Sequence, residues 1–181
     1  MVKAHWRTNA LLAGVSGALA GLLLVGCSES PSDAKPLPEG TAETTASRTP
    51  GTEHAGAVAA YRAMWHDVTV ASRTSDASSP LLDDHARGGA LELLKYGLQK
   101  SKKDGLVSKG APKADPKVVT AGPTRVVLTD CVDDTGWLLY KRNGELKDDV
   151  PGGHMKADAT VQLADGVWKV TDLYMHEAGS C

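Results

Sequence analysis

Phenylalanine is absent from this chain of 181 residues, and four Trp and four Tyr are its only large aromatic side chains. Any aromatic packing in a core must therefore come from Trp and Tyr. Neither sign of charge dominates, since 20 Lys and Arg stand against 22 Asp and Glu. A net charge of −2 argues against a protein whose main partner is nucleic acid. Hydrophobic residues make up 41% and charged residues 23%, which fits a folded protein.

Only three cysteines occur, an odd number, and the first ends an apolar amino-terminal stretch. Lys3 and Arg7 precede an uncharged run from Ala10 to Val25, which is typical of a secretory signal. The residues Leu24-Val25-Gly26-Cys27 resemble the lipobox of bacterial lipoproteins. The resemblance implies that residues 1–26 are a signal peptide. It also implies that Cys27 carries a diacylglyceryl group, which anchors the chain at the extracytoplasmic face of the cell membrane.

An uncleaved transmembrane anchor is the alternative interpretation of the same stretch. No residue from Thr8 to Ser28 is charged, and that length can span a bilayer. However, Thr8, Asn9, Ser16 and four glycines dilute the run, and a spanning helix gives no reason for a cysteine at the lipobox position. We therefore favour lipidation of Cys27, and either interpretation makes the membrane a partner.

Residues 27–53 have the composition of a linker. From Ser28 to Glu53 there are four Pro, four Ser and five Thr, and Leu37 is the only large aliphatic residue. Such a segment cannot bury enough apolar surface to offset the entropy lost on ordering. We expect a disordered tether with a reach of about 30 Å. A single folded domain is then expected over residues 54–181.

Helical periodicity marks the first part of this domain. Apolar residues at three- and four-residue steps predict an amphipathic helix from about Ala55 to Arg73. A short second helix is predicted to begin at Ser79-Pro80 and to stop at Gly88-Gly89. The leucines of a third helix share one face: Leu91, Leu94 and Leu98.

The rest of the domain has the two-residue period of strands. Strands are predicted around Arg125–Leu128 and Trp137–Tyr140, and again where residues 159, 161 and 163 are apolar. Asp165-Gly166 predicts a tight turn, followed by a final strand through Trp168 and Tyr174. Helices followed by antiparallel strands predict an α+β domain.

The order of elements resembles the nuclear transport factor 2-like superfamily, above all the sequence Asp-Gly-Val-Trp-Lys-Val-Thr-Asp from Asp165 to Asp172. The segment from Thr129 to Asp134, together with a terminal Cys181, is similar to secreted and lipid-anchored members from actinomycetes. The resemblance implies N-terminal helices packed in a curved antiparallel sheet, which together form a cone. Superfamily members include hydrolases, isomerases, dehydratases, cyclases and scaffolding domains, so this fold does not fix a function.

Cys131 and Cys181 remain once Cys27 is assigned to lipid. In an exported domain an even pair of cysteines is typical of a disulfide. A reactive thiol or a metal ligand is the alternative, but neither cysteine has a CxxC partner or a neighbouring His in sequence. The predicted bridge would contribute about 3–4 kcal/mol by restricting the unfolded chain.

A group of acidic residues raises the question of a metal site. Asp130, Asp133 and Asp134 could offer oxygen ligands to Ca²⁺. The EF-hand pattern fails, however, because Val132 and Lys141 occupy positions where ligands are required. We expect ordinary turn chemistry at these aspartates, and neither a metal nor a cofactor.

The interior of the predicted cone supplies the candidate catalytic residues. By alternation Asp172 and Tyr174 share the face of Trp168, and His66 on the first helix could complete a dyad. Asp130 shares the face of its apolar strand neighbours. Alternatively, Asp172 bonds a neighbouring backbone group and His66 lies on the solvated face of its helix. We favour this second interpretation because no catalytic motif matches residue by residue.

The sequence therefore predicts a non-catalytic lipoprotein that binds an envelope protein or a small ligand. A pocket enzyme of the cyclase or isomerase type, using Asp172, Tyr174 and His66, is the alternative. Homodimerisation through the open face of the sheet is a third expectation. No signal for a nucleic-acid partner is present.

Overall fold

The computed structural model describes residues 50–181, with side chains from His54 onward. The predictions for the signal peptide, for Cys27 and for residues 27–49 of the linker lie outside the described residues. Three helices come first in the chain: α1 (Pro50–Ser72), α2 (Leu82–His85) and α3 (Gly88–Lys103). Six strands follow: β1 (Leu106–Lys109), β2 (Lys117–Ala121), β3 (Arg125–Asp133), β4 (Leu138–Lys141), β5 (His154–Ala164) and β6 (Val167–Ala178). Between Pro50 and Cys181, no helix has the length and apolarity needed to cross a membrane.

Helix α1 starts earlier than the periodicity predicted. Pro50 to Glu53, assigned to the linker by composition, form its first turn. Proline is tolerated there because the first backbone N–H groups of a helix have no partner within the helix. Further along, the helix buries one side in the core, as its spacing predicted: Ala57, Tyr61, Met64, Trp65 and Val68.

The boundary between α2 and α3 differs from the prediction. Gly88-Gly89 does not end the second helix but begins the third, and α2 has only four residues. Gly88 has a φ of +56°, and a Cβ there would lie 3.3 Å from the carbonyl oxygen of Thr171. Glycine is therefore needed for both the backbone conformation and the close approach to β6. Beyond it, α3 buries Leu94 and Leu98 as predicted.

The sheet is antiparallel and curved around the helices. Its order is β2-β3-β5-β6, and β1 pairs separately with β4. Asp165 and Gly166 both have positive φ, 54° and 78°, and join β5 to β6 in the predicted tight turn. The inward face of the sheet packs against α1 through small and branched side chains: Val126, Leu128, Val132, Ala157, Ala159, Val161 and Val170.

Strand β6 contains a bulge that the sequence pattern does not reveal. Val161 of β5 pairs with Val170, but the preceding Thr160 pairs with Asp172. Thr171 therefore has no partner in β5. One extra residue reverses the faces that the side chains from Asp172 to Met175 occupy, up to a second register shift between Met175 and Ala178.

The bulge overturns the predicted orientation of the end of β6. Asp172 and Tyr174 lie on the solvent side, and Tyr174 is 64% exposed. Leu173 and Met175 pack against the core instead. The alternative in which Asp172 and Tyr174 point into the cone, which we did not favour, is therefore wrong.

Candidate ligand-binding cavity

A cavity of about 410 Å³ opens between α3, α1 and the inner side of the strands. Most of its wall is aliphatic: Val68, Leu94, Leu98, Leu139, Leu173 and Met175. Gly97 of α3 also lines it, and no atom lies within 4 Å of the position that a Cβ would take there. The helix backbone at Gly97 thus borders open space in the wall of the cavity.

Few polar side chains reach this cavity, and two of them serve the fold. Ser72 donates a hydrogen bond of 2.8 Å to the carbonyl oxygen of Thr69. The Asp134 carboxylate accepts a hydrogen bond from the backbone N–H of Gly153. Ser101 and Ser108 are the other hydroxyl groups in the wall, which is otherwise largely apolar.

Three aromatic rings form a row beside the cavity. Tyr61 and Trp65 meet edge to face with centroids 6.2 Å apart, and Trp65 meets Trp137 in the same way at 6.3 Å. Both indoles line the cavity, and their Nε1 atoms are buried with no hydrogen-bond partner among the described residues. An indole N–H is a donor only, so each can still donate one hydrogen bond.

Asp130 and Tyr61 lie together in the core. Asp130 is 5% exposed, which confirms that it shares the inward face of β3. One of its oxygens accepts a 3.1 Å hydrogen bond from the backbone of Asp115, while the other, like the Tyr61 hydroxyl, has no partner within hydrogen-bonding geometry. Burial raises the pKa of the Tyr61 hydroxyl and of the Asp130 carboxyl above their ordinary values. Neither side chain lines the cavity, although Trp65 contacts Tyr61.

The candidate catalytic residues do not converge on the cavity. Asp172 accepts a 2.8 Å hydrogen bond from Thr171, and with Tyr174 it borders a separate cleft on the outer side of the sheet. The His66 side chain is 75% exposed on α1, and its Nδ1 lies 3.6 Å from a carboxylate oxygen of Asp67. The proposed grouping of Asp172, Tyr174 and His66 is therefore not present.

The three aspartates considered as metal ligands have separate partners. Asp133 accepts hydrogen bonds from Lys113 and Thr135, which lower its pKa. Asp134 bonds the backbone of Gly153, and Asp130 is buried against Tyr61. Within residues 54–181, no three His, Cys, Asp or Glu side chains are grouped so that they could hold a metal ion.

The two later cysteines meet at the edge of the sheet. The Sγ atoms of Cys131 and Cys181 are 2.09 Å apart, a bonding distance. The bond attaches the last residue of the chain to β3. This is the pairing that the cysteine count predicted.

Two features of this part of the structure were not predicted from the sequence. The cavity is lined by Trp137, Leu173 and Met175. The inward orientation of Leu173 and Met175 follows from the bulge in β6, which the sequence pattern does not reveal. The buried Asp67 carboxylate lies 2.7 Å from Nδ1 of His85, and nothing in the spacing of these residues predicted the pair.

No family model matches this chain, and no curated protein does. Among solved structures, a protein from Novosphingobium aromaticivorans named as a candidate aromatic ring hydroxylase is 12% identical, with a TM-score of 0.50 over 71% of this chain and 90% of its own. An NTF-2-like protein of unknown function from Shewanella oneidensis is 14% identical, with a TM-score of 0.42 over 71% of this chain and 100% of its own. Likeness at this level of identity concerns the fold alone. Residues 50–181 form helices packed against an antiparallel sheet, which is the α+β class that the sequence predicted, and they share their fold with the first of these two proteins.

Proposed function

We propose that this protein is a membrane-anchored, extracytoplasmic binding protein whose cavity holds a small and mainly apolar ligand without transforming it. The observation that carries the proposal is the cavity of about 410 Å³ with an aliphatic and aromatic wall. Its volume falls within the usual range for pockets that bind small molecules.

The wall also indicates the chemistry of the ligand. The leucines and Val68 favour an apolar body, while Met155 and Met175 are flexible enough to adapt to its shape. A charged ligand would lose its hydration in this cavity without gaining an ion pair.

Binding is favoured over catalysis because the one carboxylate of the wall already has a structural partner. Ser72 and Asp134 bond the backbone, and Asp130 lies outside the wall. Catalysis by general acid or base needs a titratable group within hydrogen-bond reach of the substrate. Asp134 is the one carboxylate among the lining residues, and it already accepts the hydrogen bond from the backbone of Gly153.

Substitution of Gly97 tests the cavity directly. A leucine there should project into the open space of the wall and weaken binding of an uncharged apolar fluorescent probe, N-phenyl-1-naphthylamine, by about tenfold or more. The matched variant Gly97→Ala adds only one methyl group and should still bind the probe. Alanine should also stabilise the helix by about 0.5–1 kcal/mol. That result would show that the backbone at this position tolerates a side chain. Equal probe binding by Gly97→Leu and the unmodified protein would contradict the proposal.

Anchoring rests on the amino-terminal sequence. The lipobox-like residues ending at Cys27 and the tether that follows would hold the domain near the membrane surface. The ligand could then come from the membrane or from the surrounding envelope. A homodimer is one alternative, which size-exclusion chromatography with light scattering of the purified protein tests. An envelope protein partner is another, which crosslinking of the anchored protein in its native membrane tests.

A further inference from the structure

The methionines of this domain divide into one buried and two accessible side chains. Met64 of α1 lies in the core and is 0% exposed. Met155 and Met175 are partly exposed, and both line the cavity. They lie on the neighbouring strands β5 and β6, where Met175 pairs with Ala157, two residues along the same face from Met155. Within residues 54–181, every methionine that solvent can reach therefore lies in the wall of the cavity.

The thioethers of Met155 and Met175 are also the accessible sulfur atoms that are still open to mild oxidation. Cys131 and Cys181 are already joined in a disulfide, so neither is a free thiolate that would react before the methionines. Disulfides persist in oxidising compartments. A domain held by such a bond is suited to a compartment in which oxidants also reach its accessible methionines.

Oxidation of these two side chains would change the character of the wall. Hydrogen peroxide transfers one oxygen atom to a methionine sulfur and leaves as water, while the sulfur loses two electrons. A flexible apolar side chain thereby becomes a polar sulfoxide. The wall in which Met155 and Met175 lie is largely aliphatic, with Leu139 and Leu173 among its members. A sulfoxide oxygen there draws water into the cavity and opposes the burial of an apolar ligand.

We propose that Met155 and Met175 form a redox-sensitive modification site, at which oxidation by a peroxide releases the apolar ligand and reduction of the sulfoxides restores binding. In the reduction, two electrons from a dithiol return to each sulfur, and the oxygen atom leaves as water. Met64 keeps its thioether throughout, because it is fully buried and lies outside the wall of the cavity. The inference rests on the proposed function, since a cavity that binds no ligand has none to release.

Treatment of the purified full-length protein with hydrogen peroxide tests this site. Peptide mass spectrometry should find sulfoxide at Met155 and Met175 but an unmodified Met64, and bound N-phenyl-1-naphthylamine should slow the oxidation of the first two. An unmodified Met64 also shows that the fold survives, because unfolding would expose this buried side chain. The affinity for the same probe should fall about tenfold or more, as expected when polar groups enter an apolar site. Methionine sulfoxide reductases for both epimers, supplied with a dithiol, should restore the affinity.

Two variants and one mock treatment serve as controls. Met155→Leu with Met175→Leu replaces both thioethers by side chains of similar volume, so peroxide should not change the affinity that this double variant has before treatment. Met64→Leu should lose affinity on treatment as the unmodified protein does. Unoxidised protein given the dithiol alone reports any effect of reducing the bond between Cys131 and Cys181.

Three results would overturn the inference. The first is undiminished affinity for the probe in protein that carries both sulfoxides. The second is an equal loss of affinity in the Met155→Leu, Met175→Leu double variant, and the third is oxidation of Met64 as fast as that of the wall methionines. Binding that survives oxidation overturns the redox site alone, whereas failure of the unoxidised protein to bind the probe also overturns the proposed function.

Discussion

The Asp67 carboxylate accepts a hydrogen bond of 2.7 Å from Nδ1 of His85 and thereby joins α1 to α2. Its side chain is 8% exposed, so the carboxylate depends on this partner. Replacement of His85 by alanine should lower the free energy of unfolding by about 1–3 kcal/mol because it leaves a buried acceptor without a donor. Urea denaturation followed by circular dichroism measures the loss.

His66 provides the control for this prediction, since its Nδ1 lies 3.6 Å from the other oxygen of Asp67 but its ring is 75% exposed. His66→Ala should change the free energy of unfolding by less than about 0.5 kcal/mol. A larger loss for His66→Ala than for His85→Ala would show that the wrong histidine has been assigned to the buried carboxylate.

Asp130 should make stability depend on pH. Burial raises the pKa of its carboxyl above the unfolded value, so the native state binds the proton more tightly than the unfolded chain does. The resulting loss of stability begins as the pH rises through the unfolded pKa and is complete above the folded pKa. Asp130→Asn cannot ionise, and its side-chain oxygen can still accept the hydrogen bond from Asp115. The variant should therefore have the higher melting temperature at pH 7.

Near pH 3, below the ordinary pKa of an aspartate at about 3.9, this advantage of Asp130→Asn should disappear. Differential scanning calorimetry at several pH values measures both parts of the prediction. If the variant is less stable at pH 7, and the difference in melting temperature between the two proteins does not change with pH, the charged carboxylate is stabilised in the core.

The bulge in β6 predicts opposite outcomes for adjacent residues. Leu173→Ala should cost about 2–3 kcal/mol and weaken probe binding, because Leu173 packs against the core and lines the cavity. Tyr174→Ala should cost less than about 0.5 kcal/mol and leave binding unchanged. Urea denaturation and probe titration of the two variants test the assignment. A larger loss for Tyr174→Ala than for Leu173→Ala would show that Tyr174 points inward, as the unbroken alternation of the sequence predicted.

The same strand shows how far the sequence could predict this structure. Alternation placed Val126, Leu128 and Asp130 on the inner face of β3, because that strand pairs with β5 without interruption. Alternation failed to predict the inward side chains beyond Val170, because a bulge depends on how two strands pair. The bulged residue, Thr171, also lies close to Gly88 of α3. Local patterns therefore predicted most of the helices and strands and the α+β class, whereas the composition of the cavity depends on tertiary contacts that no local pattern contains.

The disulfide should account for a large part of the stability of the domain. Cys131 and Cys181 are 50 residues apart, and closing a loop of that length should contribute about 4 kcal/mol by restricting the unfolded chain. Treatment with a phosphine reductant should lower the urea midpoint, and Cys131→Ser with Cys181→Ser should have the same effect without reductant. Reductant should not change the midpoint of the double variant. If reductant leaves the urea midpoint of the unmodified protein unchanged, the disulfide does not stabilise the domain as proposed.

Cys27 should determine where the protein is found. If it carries the diacylglyceryl group that the lipobox-like sequence implies, the intact mass of the mature protein should correspond to a chain beginning at Cys27 plus the lipid. Cys27→Ser should lose the lipid and the cleavage, and globomycin, which blocks the lipoprotein signal peptidase, should leave the unmodified protein uncleaved. Because Cys131 and Cys181 are bonded to each other, Cys131→Ser with Cys181→Ser should still be lipidated and serves as the control. Unchanged mass, processing and membrane retention in Cys27→Ser would instead favour an uncleaved transmembrane anchor, since the uncharged run from Thr8 to Ser28 is long enough to span a bilayer.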